Sequence, residues 1–423
     1  MTRVISVLDI GTSKTTAVTA LQEEGQPLRV LGSASLPSSG IKKGTIINIE
    51  EVVNVVAQVL TATERMASQT IPAVYMSVSG EYIQCTNQKG TISITNTEIT
   101  PEDVMRAIEA AKTQLVPYPQ NREFIHIIPN EFTIDSQTGI KYPIGMTGSK
   151  LEVECHFISV PTSVLQNLSK TVQKLGVAVQ DYVFSGWADS FSVLTETEKE
   201  LGVTLLDIGA GTTDVAIFKE GKIVYTASIP IGGLNITADI AAGLHLASLE
   251  HAEKLKLSLK QIFERNPEKP KDSQDKKTPT KPTPSDKLDV SFLEIPDLKT
   301  VSRKFLKMIV DARIAEILEL VEKGARQFDV SIKSPSGIVV TGGTAKLYGL
   351  TNTIKSIVGV PARIGIPKGL TGMIEEITGP EYATVHGLIL AAAQSTTGST
   401  ELMQTKKGVK IFDKIKEFIK SVF

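Results

Sequence analysis

Two segments of the chain carry the same pattern: VLDIGTSKTTAV at residues 7–18 and LLDIGAGTTDVAIF at residues 205–218. Each runs from an apolar strand into an Asp, then a glycine-containing turn with hydroxyl residues, then a second strand-like run. One Asp-Ile-Gly turn says little, because Asp-Gly turns join strands in many folds. Two copies of D-I-G-x-x-x-T in the same strand context restrict the chain to two related halves that face each other. A turn of small residues lets backbone N–H groups approach phosphate oxygens closely. An Asp at the strand end can hold a magnesium ion directly or through water. Opposed copies would therefore clamp the phosphates of one nucleotide from both sides. Neither copy is the G-x-x-x-x-G-K-[ST] loop of another nucleotide-binding class, nor the G-x-G-x-x-G turn of a dinucleotide fold.

Two further segments fit such a ligand. GIVVTGGTAKLYGL, residues 337–350, is again a strand running into a small-residue turn, where Gly342 and Gly343 can pass closely against an adenine or ribose. In EHAEKLKLSL, Glu253 and Lys256 share one helix face, within reach of a ribose hydroxyl and the adenine plane. Taken alone, the first is an unspecific turn and the second a solvated Glu/Lys face.

Most of the chain alternates strand-like runs (RVISVLDIG, AVYMSVSG, GVTLLDIG, TDVAIF, SGIVVTGG) with helical ones. The helical runs are EEVVNVVAQVLTATERMAS, PEDVMRAIEAAKTQL and KTVSRKFLKMIVDARIAEILELVEKGARQF, which makes the architecture α/β or mixed. At 423 residues there is room for two or more domains, and a formal net charge of -1 gives no reason to expect nucleic acid. Cys85 and Cys155 lie far apart and form no metal or redox motif. MTRVISVLDIG goes straight into a strand pattern, so neither a secretory signal nor a membrane span is expected, and GLILAAAQS reads as a buried helix. Residues 265–287, RNPEKPKDSQDKKTPTKPTPSDK, have no hydrophobic periodicity and are expected to be a disordered surface insertion.

The last residues, VKIFDKIKEFIKSVF, are amphipathic when wound at about 100° per residue. Ile411, Phe412, Ile415, Phe418, Ile419, Val422 and Phe423 then fall within an arc of roughly 140°. So short a helix needs an apolar surface, and three would serve: the protein's own core, a partner's groove or a bilayer interface. From Lys406 onward there are six lysines against one Asp and one Glu, which favours an anionic membrane surface. The preceding QSTTGSTELMQTKKG reads as a flexible tether. The expected compartment is the cytosol, at the inner face of a membrane.

The order DIGTSK, DIGAGTTD, EKLK, TGG resembles the actin, Hsp70 and sugar-kinase superfamily of ATP-binding proteins. Three longer stretches narrow it: NEFTIDSQTGIKYPIGMTGSKLEVECHFISV (130–160), WADSFSVLTETEKELGVTLLDIGAGTTDVAIF (187–218) and IPIGGLNITADIA (229–241) are similar to the bacterial cell-division family FtsA. The resemblance runs from Val4 to the end of the tail. It implies an α/β, actin-like ATPase fold with two related halves and a 1C subdomain inserted in the first half in place of actin's 1B. In this numbering 1A would take residues 1–80 and 162–200, 1C 81–161, 2A 201–232, and 2B 233–297. Residues 298–394 would complete 2A and return to 1A, 395–408 would be a linker, and 409–423 a membrane-targeting helix.

The resemblance implies ATP and Mg2+ as cofactors. Asp9, Gly11, Thr12, Ser13 and Lys14 correspond to its first phosphate loop. Asp207, Gly209, Gly211, Thr212 and Thr213 correspond to the second, with Asp9 and Asp207 near magnesium. Glu253 and Lys256 would contact base and ribose, and Gly342, Gly343 and Thr344 would form the adenosine loop. Implied partners are the C-terminal peptide of the tubulin-like protein FtsZ, further copies of the chain in filaments, an anionic membrane bound through residues 409–423, and later division proteins met through 1C. The FtsZ peptide would dock on 2B around Asp239 to Lys256 and residues 288–303. The implied location is the cytoplasmic face of the membrane at the division site.

No residue is assigned as catalytic. Asp9, Asp207 and magnesium supply only part of what phosphoryl transfer requires, and hydrolysis in the family is weak. Ala210 stands where a glycine is frequent and Thr344 replaces a common third glycine, so both are expected to narrow the site. A sugar kinase would need a sugar pocket and a carboxylate base, for which there is no motif. An Hsp70-like chaperone would need a β-rich domain after EYATVHGLILAAAQ, where a linker and one helix are expected. PilM-like pilus-assembly proteins share fold and motifs and are the nearer alternative, from which the tail discriminates. A metabolic kinase of the same superfamily is the more distant one.

Overall fold

The computed structural model describes residues 2–115, 120–266 and 286–394. The expected tether and membrane helix lie outside these residues, as does most of the expected insertion. Of the insertion's ends, Arg265 closes the helix Leu259–Arg265 and Lys287 opens the strand Lys287–Asp289.

The first of the two similar segments folds as the hairpin Thr2–Ile10 and Lys14–Glu23. The second folds as Val203–Ile208 and Thr213–Lys219. Each hairpin is the centre of a sheet built in the same way. In the first half the order is Arg29–Pro37, Lys14–Glu23, Thr2–Ile10, Ala73–Val78, Ala178–Phe184, with the two-residue strand Thr371–Gly372 added parallel outside Arg29–Pro37. In the second it is Lys222–Ile229, Thr213–Lys219, Val203–Ile208, Ile338–Thr341, Ala362–Ile364. In both, the first two pairings are antiparallel and the next two parallel. Parallel strands need covering on both faces. Helix Ile49–Ala67 packs on one face of the first sheet and helix Ala383–Gln394 on the other. In the second half, Leu206 and Ile208 face the helices Gly233–Gly243 and Arg303–Arg326. Val203 and Leu205 face the opposite way, into the core shared with the first half, where helix Ser185–Val193 packs.

Between Ala73–Val78 and helix Thr162–Gln173 a separate unit is inserted. Its strands Gln84–Ser93, Lys150–Pro161, Arg122–Ile134 and Gln137–Ile140 form an antiparallel sheet covered by helix Pro101–Thr113. The unit rests on the edge strand Lys222–Ile229, whose outer N–H and C=O groups would otherwise be unpaired. Asn130 donates to Ile223 O at 2.8 Å and accepts from Ile223 N at 3.2 Å, and Asn87 donates to Val224 O at 2.8 Å. Buried His156 bridges Asn87 Oδ1 (2.6 Å) and Thr226 Oγ1 (2.9 Å).

One expected helix is shorter than its sequence pattern. The run from Lys299 begins as strand Thr300–Ser302, paired with Lys287–Asp289. The helix starts at Arg303 because the Ser302 hydroxyl caps it, accepting from Phe305 N at 3.1 Å. Among the described residues no helix is long and apolar enough to cross a membrane.

Candidate functional site

The two loops are closed by the same bond: Gly11 N donates to Lys14 O at 3.0 Å, and Gly209 N to Thr212 O at 2.9 Å. Strand register is also the same, pairing Asp9 with Thr16 and Asp207 with Asp214. Lys14 and Thr212 therefore hold equivalent places, as do Thr16 and Asp214. The loops touch: a Cβ on Gly211 would lie 2.7 Å from Thr12 Oγ1 and 2.9 Å from Thr12 Cγ2.

Between them lies a cavity of about 530 Å³. Of the residues singled out in the sequence, Asp9, Gly11, Thr12, Ser13, Lys14, Asp207, Gly209, Thr212, Glu253, Lys256, Gly342, Gly343 and Thr344 line it. Gly211 and Thr213 lie behind the lining. Gly211 packs on Thr12, and Thr213 Oγ1 donates to Ile231 O at 2.8 Å.

Several of these side chains have duties their sequence context did not show. Thr344 Oγ1 donates to Gly209 O at 3.0 Å, so its hydroxyl ties the third glycine turn to the second loop. Lys256 is buried, and its ammonium binds Gly233 O (3.0 Å), Thr237 Oγ1 (2.9 Å) and Glu253 Oε2 (2.8 Å). It fastens helix Leu249–Leu257 to helix Gly233–Gly243. Gly342 has φ +84°, and a Cβ there would sit 2.1 Å from Asp207 Oδ1. Only glycine lets the strand end turn past that carboxylate.

The charges are arranged across the cavity. Asp9 Oδ1 accepts from Ser77 Oγ at 2.5 Å, and desolvation between the loops raises its pKa above the usual carboxylate range. Burial pushes Asp207 up to about 6, and apart from a proton shared with the Asp189 carboxyl its Oδ1 has no hydrogen-bond partner. Burial, followed by the neighbouring Asp207, pushes Asp214 up to about 8, although Ser79 Oγ donates to it at 2.9 Å. Asp189, on helix Ser185–Val193, is buried against Asp207 and raised well above its ordinary value, and Thr384 Oγ1 donates to it at 2.9 Å. On the other side, the Lys14 ammonium is buried without a hydrogen-bond partner, 3.1 Å from the centroid of the Tyr382 ring. Burial lowers Lys14 to about 8, opposed first by the carboxylate of Glu381, which is itself paired with Lys346.

An ammonium with no hydrogen-bonded anion thus shares the cavity with buried carboxyls that it influences only through space. A polyphosphate carrying a divalent metal satisfies both sets at once. Among the described residues no group of three or more His, Cys, Asp or Glu is placed to hold a metal by itself. That donor set fits an ion whose remaining ligands are phosphate oxygens and water. Ser77, Ser79, Asp189, Asp214, Tyr382 and Thr384 belong to the site and were not singled out in the sequence. Only Asp214 had a signal, standing inside the second motif.

A second cavity, about 660 Å³, opens between helices Leu259–Arg265, Arg303–Arg326 and Leu350–Val358. Phe263 and Tyr348 stack at 5.4 Å in its wall, with the Arg303 guanidinium 4.9 Å from the Phe263 ring. Tyr348 and Ile357 in its lining are exposed large apolar residues.

A model described as "SHS2 domain inserted in FTSA" matches residues 80–159, and one described as "Cell division protein FtsA" matches residues 204–387. The cell division protein FtsA of Pseudomonas aeruginosa is 32% identical over 429 aligned residues, covering 100% of this chain and 98% of that protein. Those of Borreliella burgdorferi (33%, covering 98% and 97%) and Escherichia coli K12 (31%, covering 90% and 88%) are similarly related. Among solved structures, a PilM–PilN type IV pilus biogenesis complex superimposes with TM-score 0.62 at 16% identity, covering 92% of this chain and 98% of that one. MreB5 of Spiroplasma citri bound to ADP superimposes with TM-score 0.51 at 13% identity, covering 92% and 95%. At such identities these two likenesses speak to the actin-like ATPase fold alone. The sequence relationships are stronger, and by them the chain belongs to the FtsA family of cell-division proteins.

Proposed function

We propose that this protein binds ATP with Mg2+, assembles with copies of itself, and tethers FtsZ filaments to the cytoplasmic face of the membrane at the division site, where it recruits later division proteins. One observation carries the nucleotide part: the unpartnered Lys14 ammonium and the Asp207 carboxyl face one cavity between two loops of the same closure. In this reading Lys14 meets phosphate oxygens, and the backbone of the Gly11–Lys14 and Gly209–Thr212 turns cradles them. Asp9 and Asp207 hold the magnesium ion, which when bound neutralises phosphate charge. Glu253 and the stem of Lys256 line the ribose and base end, and Gly342 and Gly343 leave room for the adenosine. Assembly rather than turnover is the function in this reading.

In the same reading the two main sheets belong to 1A and 2A, the inserted sheet is 1C, and residues 233–297 are 2B. The second cavity adjoins the expected FtsZ dock at residues 288–303 and offers stacked aromatics beside Arg303. An apolar peptide with an acidic residue suits that wall. The membrane contact is assigned to residues 409–423 from their amphipathic pattern.

The test is co-sedimentation of the FtsZ C-terminal peptide with anionic liposomes, with and without this protein and Mg-ATP. The peptide is expected to sediment only with protein-coated liposomes, and a form ending at Gln404 is expected to leave both in the supernatant. Failure of the peptide to join coated liposomes would overturn the tether.

A further inference from the structure

We infer that the root of the inserted unit senses occupancy of the cleft: ligand at the two loops is relayed through Ser79, Gly80 and Tyr82 to the seating of residues 84–161. The inference rests on the nucleotide-binding reading of the cleft. Strand Ala73–Val78 carries Ser77 to Asp9, and the next residues leave the first half to begin the inserted unit. The Ser79 hydroxyl lies 2.9 Å from Asp214 Oδ1, 3.1 Å from Thr212 Oγ1 and 3.4 Å from Ser228 Oγ, all on the second half. The Ser79 hydroxyl donates to Asp214 Oδ1, whereas toward Thr212 and Ser228 either oxygen can be the donor, so the direction of these bonds is a selection within the cluster. A ligand that engages Thr212 or changes the surroundings of Asp214 changes that selection.

The first loop reaches the same root by another route. Thr12 Oγ1 accepts from Gly44 N at 3.1 Å. Tyr82 OH lies 3.2 Å from Gly44 O and 2.7 Å from Ser79 O, joining that segment to the root. The packing leaves little slack: Gly44 has φ +73°, and a Cβ there would sit 2.4 Å from Ser79 O. Beyond the root, Arg122 donates to Tyr82 O (2.6 Å) and Ser159 O (2.8 Å), binding the outgoing and returning strands together.

The receiving element is strand Lys222–Ile229. At one end Ser228 accepts from Gly80 N at 3.0 Å. Along the same edge Thr226, Val224 and Ile223 hold His156, Asn87 and Asn130. One strand therefore meets the cleft's hydroxyl cluster at its end and the inserted unit along its length. A shift of the second half against the first cannot leave that seat unchanged. Coupling of this kind needs an element that both sites bias, and strand Lys222–Ile229 touches both.

The experiment is amide hydrogen exchange on the full-length protein with and without Mg-ATP. Slowed exchange at Gly11–Lys14 and Gly209–Thr213 reports occupancy. The relay predicts that exchange in residues 80–93 and 150–161 then changes by about threefold or more. Tyr82→Phe removes one hydroxyl outside the cavity lining. It should keep nucleotide affinity within about twofold and lose the response of the inserted unit. Ser228→Ala, which cuts the Gly80 contact, is the second variant should Tyr82→Phe fold poorly. A protected cleft with an unresponsive inserted unit in the unmodified protein overturns the relay. So does a normal response in both variants. No protection at the loops overturns the nucleotide reading itself.

Discussion

The first and second loops share a hairpin, a closing bond and an Asp at the strand end, yet they are chemically opposite. Where the first loop places Lys14, the second places Thr212. Where the second places Asp214 in the cleft, the first places Thr16, whose hydroxyl is tied to Ser35 at 2.9 Å within its own sheet. Asp9 has a hydroxyl partner in Ser77. The residue equivalent to Ser77 is Thr341, which turns its hydroxyl away to Gly365 O and Pro380 O and leaves Asp207 Oδ1 without a hydroxyl partner. The frame is repeated, while the side chains set Lys14 beside Asp9 on the first wall and Asp207 with Asp214 on the second. Two cationic walls would leave a metal ion without carboxylate ligands, and two acidic walls would repel phosphate.

The sharpest difference lies just past the strand beside each Asp. After Ser77 the chain continues into buried Val78, whereas after Thr341 it turns at Gly342. Gly342→Ala places a methyl 2.1 Å from Asp207 Oδ1 and 2.7 Å from Ile208 O at φ +84°. Denaturant unfolding should show a loss of about 3 kcal/mol, and calorimetry should show no nucleotide binding. Val78→Ala at the equivalent place should cost about 2 kcal/mol through lost packing while keeping nucleotide binding. Normal nucleotide binding by Gly342→Ala would break the asymmetry.

Next in size is the comparison of Lys14 with Thr212. A charge-assisted contact to phosphate contributes about 2 kcal/mol, so Lys14→Met should weaken Mg-ATP binding by roughly 30-fold. A neutral hydrogen bond contributes about 1 kcal/mol, so Thr212→Val should weaken it by roughly fivefold. Both are read by titration calorimetry. Equal losses would mean that the walls share the phosphate evenly, contrary to their charges.

What the sequence made readable was local. Each loop closes within four residues, from Gly11 to Lys14 and from Gly209 to Thr212, so strand, turn and strand are all visible in one short window. The same holds for helices such as Pro101–Thr113, whose Thr100 cap and Asp103 form a reciprocal pair. The rest of the site is non-local. Thr384 meets Asp189 and lies 3.5 Å from Asp207 only because helix Ala383–Gln394 returns to pack on helix Ser185–Val193. Ser79 reaches Asp214 from the other half of the chain. Lys256 reads as a solvated helix face, but helix Gly233–Gly243 covers it and supplies its partners. No window of residues contains such pairings, because chain crossovers create them.

The acidic wall also predicts a pH dependence. Asp207 and Asp214 have folded-state pKa values raised from 3.8 to about 6 and about 8. Across that window the folded protein keeps protons that the unfolded chain has released. Their contribution is therefore fully present below pH 3.8 and is lost as pH rises through about 6 and then about 8. Ligand-free protein should melt at progressively lower temperature between pH 5 and pH 8.5, by about 3 °C in total. Asp214→Asn should remove the upper part of that slope, while Thr16→Ser, its counterpart on the first wall, should leave the slope unchanged. An upper part, near pH 8, that persists in Asp214→Asn would place the responsible carboxyl elsewhere.

The smallest expected effect concerns Tyr382, which serves Lys14 and has no equivalent beside Thr212. The ammonium sits 3.1 Å from the ring centroid, buried, with no hydrogen-bond partner. An aromatic face contributes about 1 kcal/mol to a desolvated cation and holds it where phosphate oxygens would arrive. Without the ring, the lysine is drawn toward Glu381, its strongest charged neighbour, and away from the cavity. Tyr382→Leu should therefore weaken Mg-ATP binding by about threefold, and Tyr382→Phe, which keeps the face, should not. Adenosine separates positioning from packing, because it has no phosphate for Lys14 to meet. An unchanged adenosine affinity in Tyr382→Leu assigns the ring to the cationic wall. An equal loss for adenosine and Mg-ATP would assign it to the general shape of the cleft, and Lys14 would then owe its orientation to the loop alone.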